Sequence, residues 1–333
     1  MDNNKTSSLG LVKPADDTAV PRTSSSNGEV AIGIVEELGY SPSYRRVFEG
    51  IGSFALVLSV ASSYRRGFVF LIRLSPMAAI TIISSYQITY GGYWGLTWGW
   101  IIPSVLLLPQ PLAIAELCSS MPVNGANYWW TAALAPPSLS RPFSFIAGWI
   151  TVSQIITSLA SLSYAGATSL SYAVPTLCPS WEPDNAQIMA IAMGLLIFWG
   201  LTSFLRMERI AWVFVLTCTI VLVTTAIYMI ALPVTHSARN LQFAPASKVF
   251  SEYSNWSDWG SAVSVPTTFF SAAWSITGWN APSYVAEETK NARVVSPRSI
   301  IQSYAAMAIL GSIICIITAF CITDMESAAL DPT

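Results

Sequence analysis

Between Phe269 and Ala292 the chain reads FFSAAWSITGWNAPSYVAEETKNA. Ser275, Thr277, Gly278, Asn280 and Pro282 crowd its centre, Trp274 and Trp279 flank them, and Glu287, Glu288 and Lys290 follow. This is a hydrophobic span that stops being a good helix in its own middle. In lipid every backbone polar group needs a partner, so a broken helix persists only where it is buried in protein or lines a cavity. The chemistry on offer is non-covalent. Trp274 and Trp279 present either a gate and cation–π wall for an amine or quaternary ammonium group, or the commoner lipid- and protein-facing packing.

Covalent and metal chemistry find no residues of the right pattern. There is one histidine, His236, expected in an outside loop and exposed. The five cysteines, Cys118, Cys178, Cys218, Cys315 and Cys321, form no CxxC and no Cys/His cluster. Metal ligation and a Cys-His nucleophile are therefore not expected. Phosphate loops, GxSxG and HExxH are absent. No enzyme activity, cofactor, metal or nucleic-acid partner is expected. Only Cys178 is placed near the outer face, so no disulfide within the chain is expected.

The elements that must position the broken span are membrane helices. Hydrophobic residues make up 53% and charged residues 10% of the chain, against about 25% charged in soluble domains. Asp, Glu, Lys and Arg are missing from 74–115, 143–181, 185–205, 210–238, 259–286 and 299–323. A spanning helix needs about 20 apolar residues. The pattern predicts seven helices: one assembled from 47–62 and 76–85, then 93–116, 143–173, 187–205, 210–233, 262–285 and 299–322. The fold class is all-α, polytopic and lipid-embedded. A Gly/Pro-interrupted segment in such a protein points to a small-molecule site near the bilayer midplane.

Basic residues set the orientation. With the N-terminus cytosolic, eleven of the sixteen lie inside, and the outside loops hold only Arg239 and Lys248. The sequon Asn255-Trp256-Ser257 then falls in the outside loop 234–261, making Asn255 a glycosylation candidate. Residues 1–40 are polar and read as a disordered cytosolic tail, and 41–333 as the membrane domain. One segment is odd. Ser63–Ser75, SYRRGFVFLIRLS, puts Arg65, Arg66 and Arg73 into the first helix, at about 2.5–3.5 kcal/mol for each central arginine. Without it, Gly50–Ser62 joins Pro76–Ser84 into a span of ordinary length. It reads as a retained intron or insertion, or else as a re-entrant or cytosolic loop between two half-helices.

Three runs carry a family resemblance: GGYWGLTWGW (91–100), LAIAELCSSMPVNGANYWWTAALAPP (112–137) and SITGWNAPSYVAEETKNARVVSPR (275–298). They resemble the fungal amino-acid, GABA and choline permeases of the amino acid–polyamine–organocation superfamily. The resemblance covers 41–333 apart from the odd segment. It implies the leucine-transporter-like inverted-repeat fold, of twelve helices, here ending after the seventh. It also implies secondary active transport of amino acids or related amines by alternating access, coupled to protons. The plasma membrane is expected rather than the vacuolar one.

In that fold helices one and six are unwound at mid-membrane. Free N–H groups attract a substrate carboxylate and free carbonyls attract its ammonium group. The matching substrate-binding positions are Gly50, Gly52 and Ser53 in helix one, and Ser275, Thr277, Gly278, Trp279 and Asn280 in helix six. Close packing by small residues is the alternative for Gly50 and Gly52. Many relatives carry an acidic residue where this chain has Asn280, so cation coupling is not carried over to it. Gating or coupling candidates are Glu49, Glu116, Trp274 and Glu287. Glu116, Glu287 and the neighbouring Glu288 either pair with Arg206, Arg209 or Arg293 as an inner gate or stand solvated at helix ends, and Glu49 either binds a coupling proton or faces the cytosol. Trp94, Trp98, Trp100, Trp129 and Trp130 are expected to be interfacial belt residues. Two other functions compete: a non-transporting fragment, favoured by the missing second repeat, and a seven-helix receptor. The charge bias and the lack of DRY and NPxxY speak against the receptor.

Overall fold

The computed structural model describes residues 76–174, 184–202, 204 and 207–330. The tail 1–40, the half-helix 47–62 and the odd segment 63–75 lie outside them. In chain order the described helices are α1 (Pro76–Leu106), α2 (Pro109–Ser120), α3 (Ala126–Leu134), α4 (Ser140–Ala173) and α5 (Asn185–Thr202). Then come α6 (Met207–Ala238), α7 (Ala246–Ser251), α8 (Ser261–Ser275), a 3₁₀ helix (Ala281–Glu288), α9 (Ala292–Cys321) and α10 (Met325–Leu330). Among the described residues four stretches are long and apolar enough to cross a membrane: Ile83–Ser120, Ser140–Ala173, Thr219–Ala238 and Ala292–Cys321. The face that α4 leaves exposed carries Phe145, Ile146, Trp149, Ile150 and Ile156. Its buried residues are all serine or alanine: Ser144, Ser163, Ala165, Ala167, Ser169 and Ser171. Large apolar residues outward and small ones inward is the pattern of a bundle in lipid, where close backbone approach replaces the hydrophobic drive between helices.

Within the described residues the predicted helical stretches are helical with moved ends, and the 47–62 part of the first lies outside them. The first two meet in α1, which is two limbs joined at Gly92 (φ 57, ψ −137). A Cβ at Gly95 would stand 2.2 Å from the carbonyl oxygen of Gln87. In a straight helix residues eight apart are separated by about 12 Å, so the bend is sharp. The second limb is broken again at Leu107–Leu108, before Pro109, and resumes as α2. Three short helices, α3, α7 and α10, occupy what reads as loop in the sequence.

A bend inside a membrane helix frees backbone groups, and here the α7–α8 connection satisfies them. Trp256 N–H donates to the Thr89 carbonyl (3.0 Å), and Trp94 N–H donates to the Glu252 carbonyl (3.1 Å). The Thr97 hydroxyl and the Trp98 indole N–H donate to the carbonyls of Val249 and Phe250. Residues 249–256 are thus a strap stitched across the bend. Next to it, Asp324 caps α10 by accepting from the N–H groups of Glu326 and Ser327 and from the Ser327 hydroxyl. Those donors favour the ionised form and hold the Asp324 carboxyl below the usual range.

Two seams hold the core. Gly91, Gly95 and Gly99 recur every four residues and all face Thr268 of α8. A Cβ would come within 2.8, 3.3 and 3.0 Å of its side chain. On the α9 side, Gly311 leaves a notch filled by the indole of Trp100, whose Nε1 donates to the Ala308 carbonyl at 3.2 Å. Trp100 and Trp130 are 1% and 2% exposed, which corrects their expected place in an interfacial belt. Each indole plugs a helix seam and has a carbonyl for its N–H. His236 is corrected too. It lies in the last turn of α6, buried, with Nε2 on the Gln242 carbonyl and its ring packed at a tilt against Phe243.

The Gly311 notch makes a test. A Cβ there would lie 2.1 Å from Trp100 Cζ2, and a buried indole cannot swing aside as a flexible chain would. Gly311→Ala is expected to cost about 1–3 kcal/mol by overpacking, read as a lower Tm of the purified protein in detergent. Adding Trp100→Phe is expected to recover part of the loss, and an unchanged Tm in the single variant would refute the close fit.

Candidate functional site

Helix α8 stops where its sequence stops favouring helix. Its last bond is Ile276 N–H to the Ala272 carbonyl (2.8 Å), and Ile276 itself (φ −84, ψ 45) has left the helix. Gly278 follows at φ 82, a left-handed conformation that costs a side-chain-bearing residue about 1–2 kcal/mol. The chain turns back into a helix only after Asn280, where Ala281 N–H donates to the Gly278 carbonyl and Ser283 N–H to the Asn280 carbonyl. Pro282 enters the first turn of the 3₁₀ helix, where its missing N–H is not needed. The predicted span 262–285 is therefore two helices around an unwound stretch of 276–280.

The polar inventory of that stretch is incomplete by design of its geometry. The Thr277 hydroxyl takes the Trp274 carbonyl (2.8 Å), and the Asn280 carbonyl takes both the N–H and the hydroxyl of Ser283. The Asn280 amide reaches the Tyr284 hydroxyl at 3.4 Å. Among the described residues, no partner meets the N–H groups of Thr277, Gly278, Trp279 and Asn280. The buried Ser275 hydroxyl also has none. A run of unpartnered N–H groups is an anion-binding surface of the kind found at helix starts.

Aromatic packing fixes the stretch from one side. Trp279 meets Tyr304 of α9 edge-on, with ring centroids 6.3 Å apart. The Tyr304 hydroxyl donates to the Ser104 carbonyl (2.6 Å), and the Ser104 hydroxyl donates to the Trp100 carbonyl (2.7 Å). Trp279 packs against two core clusters, one built on Trp100 and Tyr304, the other on Cys118, Trp130 and Ala286. From the other side, the turn between α2 and α3 holds the 3₁₀ helix. Asn124 N–H donates to Glu287 Oε1, and Glu287 N–H donates to Asn124 Oδ1, both at 2.9 Å.

Of the predicted site residues, Ser275 is the last residue of α8, and Thr277 to Asn280 lie in the unwound stretch that follows. Trp274 sits partly buried at its start. Glu287 finds Asn124 as its partner among the described residues. Arg206 and the side chain of Arg209 are outside them, and Arg293 is exposed, its carbonyl taken by the Ser119 hydroxyl. Glu116 is exposed on α2 and apart from this contact. Glu49, Gly50, Gly52 and Ser53 lie outside the described residues. Asn255 forms an Asx turn: Oδ1 accepts from the Ser257 N–H and hydroxyl, and Nδ2 donates to the Trp259 carbonyl. No group of three or more His, Cys, Asp or Glu among the described residues could hold a metal. Asn124 and Tyr304 carry no sequence signal that singles them out, whereas the four-residue glycine spacing of 91–99 is a readable sign of close helix packing.

A bundle of apolar helices, small on its seams and unwound in one member, defines an integral, multi-pass α-helical membrane protein. Comparison with known proteins narrows the class. The family described as Amino acid permease matches residues 52–333, and the chain belongs to it, a family of permeases rather than of enzymes. It is 31% identical over 293 residues to an uncharacterized amino-acid permease of Schizosaccharomyces pombe, covering 87% of this chain and 50% of the relative. It is 26% identical over 300 residues to the GABA-specific permease of Saccharomyces cerevisiae (90% and 50%). It is 24% identical over 323 residues to the thiamine transporter thi9 of S. pombe (88% and 52%). The chain spans about half the length of these curated relatives.

Gly278→Ala is expected to destabilise the protein by about 1–2 kcal/mol through its positive φ. Gly278→Asn is expected to lose less, since Asn tolerates that region better. Thermal unfolding in detergent orders the two, and equal Tm values for glycine and alanine would contradict the observed backbone.

Proposed function

We propose that the protein is a secondary active transporter moving amino acids or related amines such as GABA or choline by alternating access. The observation that carries this is the row of four backbone N–H groups, 277–280, that find no partner among the described residues, set in a partly buried break of an otherwise membrane-length element. They form a receptor for a carboxylate, and the carbonyl ends of α8 lie beside them for an ammonium group. Trp274 and Trp279 supply aromatic faces for the cationic end of the substrate. Gly50, Gly52 and Ser53 are assigned to the same site from helix one. Glu49, Glu116 and Glu287 are assigned to gating or to proton coupling. The N-terminus is assigned to the cytosol, the protein to the plasma membrane, and Asn255 to a glycan outside. Membership of the permease family and the likeness to a GABA-specific permease and a thiamine transporter support transport over the receptor alternative.

Reconstitution of the chain in proteoliposomes tests this. With the outside acidic and the inside negative, labelled amino acids, GABA and choline are offered one at a time. At least one is expected to accumulate above its external concentration, and a protonophore is expected to abolish that accumulation. Gly278→Ala is expected to lower uptake by roughly tenfold to a hundredfold, the cost of a small misplacement of binding groups. Folded protein that accumulates none of them would overturn the transport reading and favour a non-transporting chain.

A further inference from the structure

We propose that Asn124 and Glu287 form a two-bond clamp that closes the end of the broken segment away from the 249–256 strap. Asn124 is then a positioning residue for the site. The inference rests on reading the 276–280 break as the substrate site. The two residues are 163 positions apart, and each donates its own N–H to the other's side chain at 2.9 Å. Neither bond forms unless both segments are in register, so the pair is made or lost as a unit. One bond is to a carboxylate group and so belongs to the stronger, charge-assisted kind.

The clamp has something to hold. A 3₁₀ helix has poorer hydrogen-bond geometry than an α-helix, and within Ala281–Glu288 Val285 departs from helical angles (φ −124, ψ 21). The segment does not fix its own position. Asn124 itself is placed by its turn, where the Trp130 indole donates to the Met121 carbonyl (2.9 Å) and Ala126 N–H to the Val123 carbonyl (3.1 Å). Cys118 of α2 packs behind the contact with Ala126, Trp130 and Ala286, the residue before Glu287, and has no exposed surface. Opening of the clamp would uncover this thiol. Cys315 is equally buried in a separate cluster around Trp100 and Tyr304, which makes it a control within the same molecule.

The test is alkylation of the reconstituted full chain by N-ethylmaleimide, followed site by site by peptide mass spectrometry. Alkylation of a buried thiol reports the local opening equilibrium. Glu287→Ala, which removes the carboxylate, is expected to speed Cys118 labelling about tenfold or more, as for loss of a bond to a charged group, and Asn124→Ala, which removes the neutral acceptor of the Glu287 N–H, about threefold to tenfold. The double variant is expected to add little to Glu287→Ala. Glu287→Gln keeps an oxygen to accept the Asn124 N–H and is expected to fall between wild type and Glu287→Ala. Cys315 is expected to stay unreactive throughout. Unchanged Cys118 labelling in the alanine variants would overturn the clamp. So would Cys118 and Cys315 rising together, which marks general loosening. If Cys118 alone responds while the wild-type chain accumulates no substrate, the clamp stands and the transport reading falls.

Discussion

In a lipid environment a backbone hydrogen bond that is broken must be remade by protein, because no water is at hand to replace it. The architecture follows from how its breaks meet that demand. At Gly92 the strap 249–256 delivers a donor to the Thr89 carbonyl and an acceptor to the Trp94 N–H. At Leu107–Leu108 the chain itself keeps up the ladder, with bonds from Leu107 to Pro103, Leu108 to Val105 and Gln110 to Leu107. At 276–280 the repair is partial: Thr277 and Ser283 cover two carbonyls, and the N–H groups between them are left over. Among the described residues two breaks are sealed and the third is sealed only in part.

Because lipid tails are as apolar as the side chains, burying leucine between helices gains little, and contact depends on fit. That explains where the tryptophans went. An indole in water-facing surroundings gains by moving to an interface, but Trp100 and Trp130 gain more by filling a notch opposite glycine or alanine and donating to a carbonyl. The same logic places Gly91, Gly95 and Gly99 against a single threonine. It also gives His236 a buried place: the Gln242 carbonyl meets its Nε2, and Phe243 covers its ring.

The interruption of the sixth predicted span was legible in residues 275–282, since glycine at positive φ and proline at a helix start leave marks in sequence. The rough position of the long described helices was legible too, from charge-free stretches. Their ends were not. Helix α9 begins seven residues before the predicted Ser299, because Arg293 and Arg298 are carried on its exposed turns and Pro297 is tolerated within it. Loop 234–261 read as plain because strap contacts use backbone carbonyls, which carry no residue identity. Asn124 was invisible for a similar reason: asparagine in an NGAN turn satisfies local turn chemistry, and only the fold shows it facing Glu287.

The unwound stretch is short of bonds of its own, so its shape is set by what grips it at each side. One grip is aromatic, running from Trp279 through Tyr304 and Ser104 to Trp100, seated at Gly311. The other is polar, from Glu287 to Asn124. The first ties the stretch to the second limb of α1 and to α9, the second to the turn between α2 and α3. A stretch held this way is sensitive to residues far from it in sequence. Gly311 lies more than thirty positions from Gly278, yet it decides where the Trp100 indole sits. Ser104 leans on the Trp100 carbonyl, Tyr304 on the Ser104 carbonyl, and Trp279 on the Tyr304 ring. A network of packed side chains and hydrogen bonds with few alternatives transmits displacement instead of absorbing it. The row of N–H groups is therefore positioned by the seams of the bundle, and the sequence between 275 and 280 supplies only the freedom to be positioned.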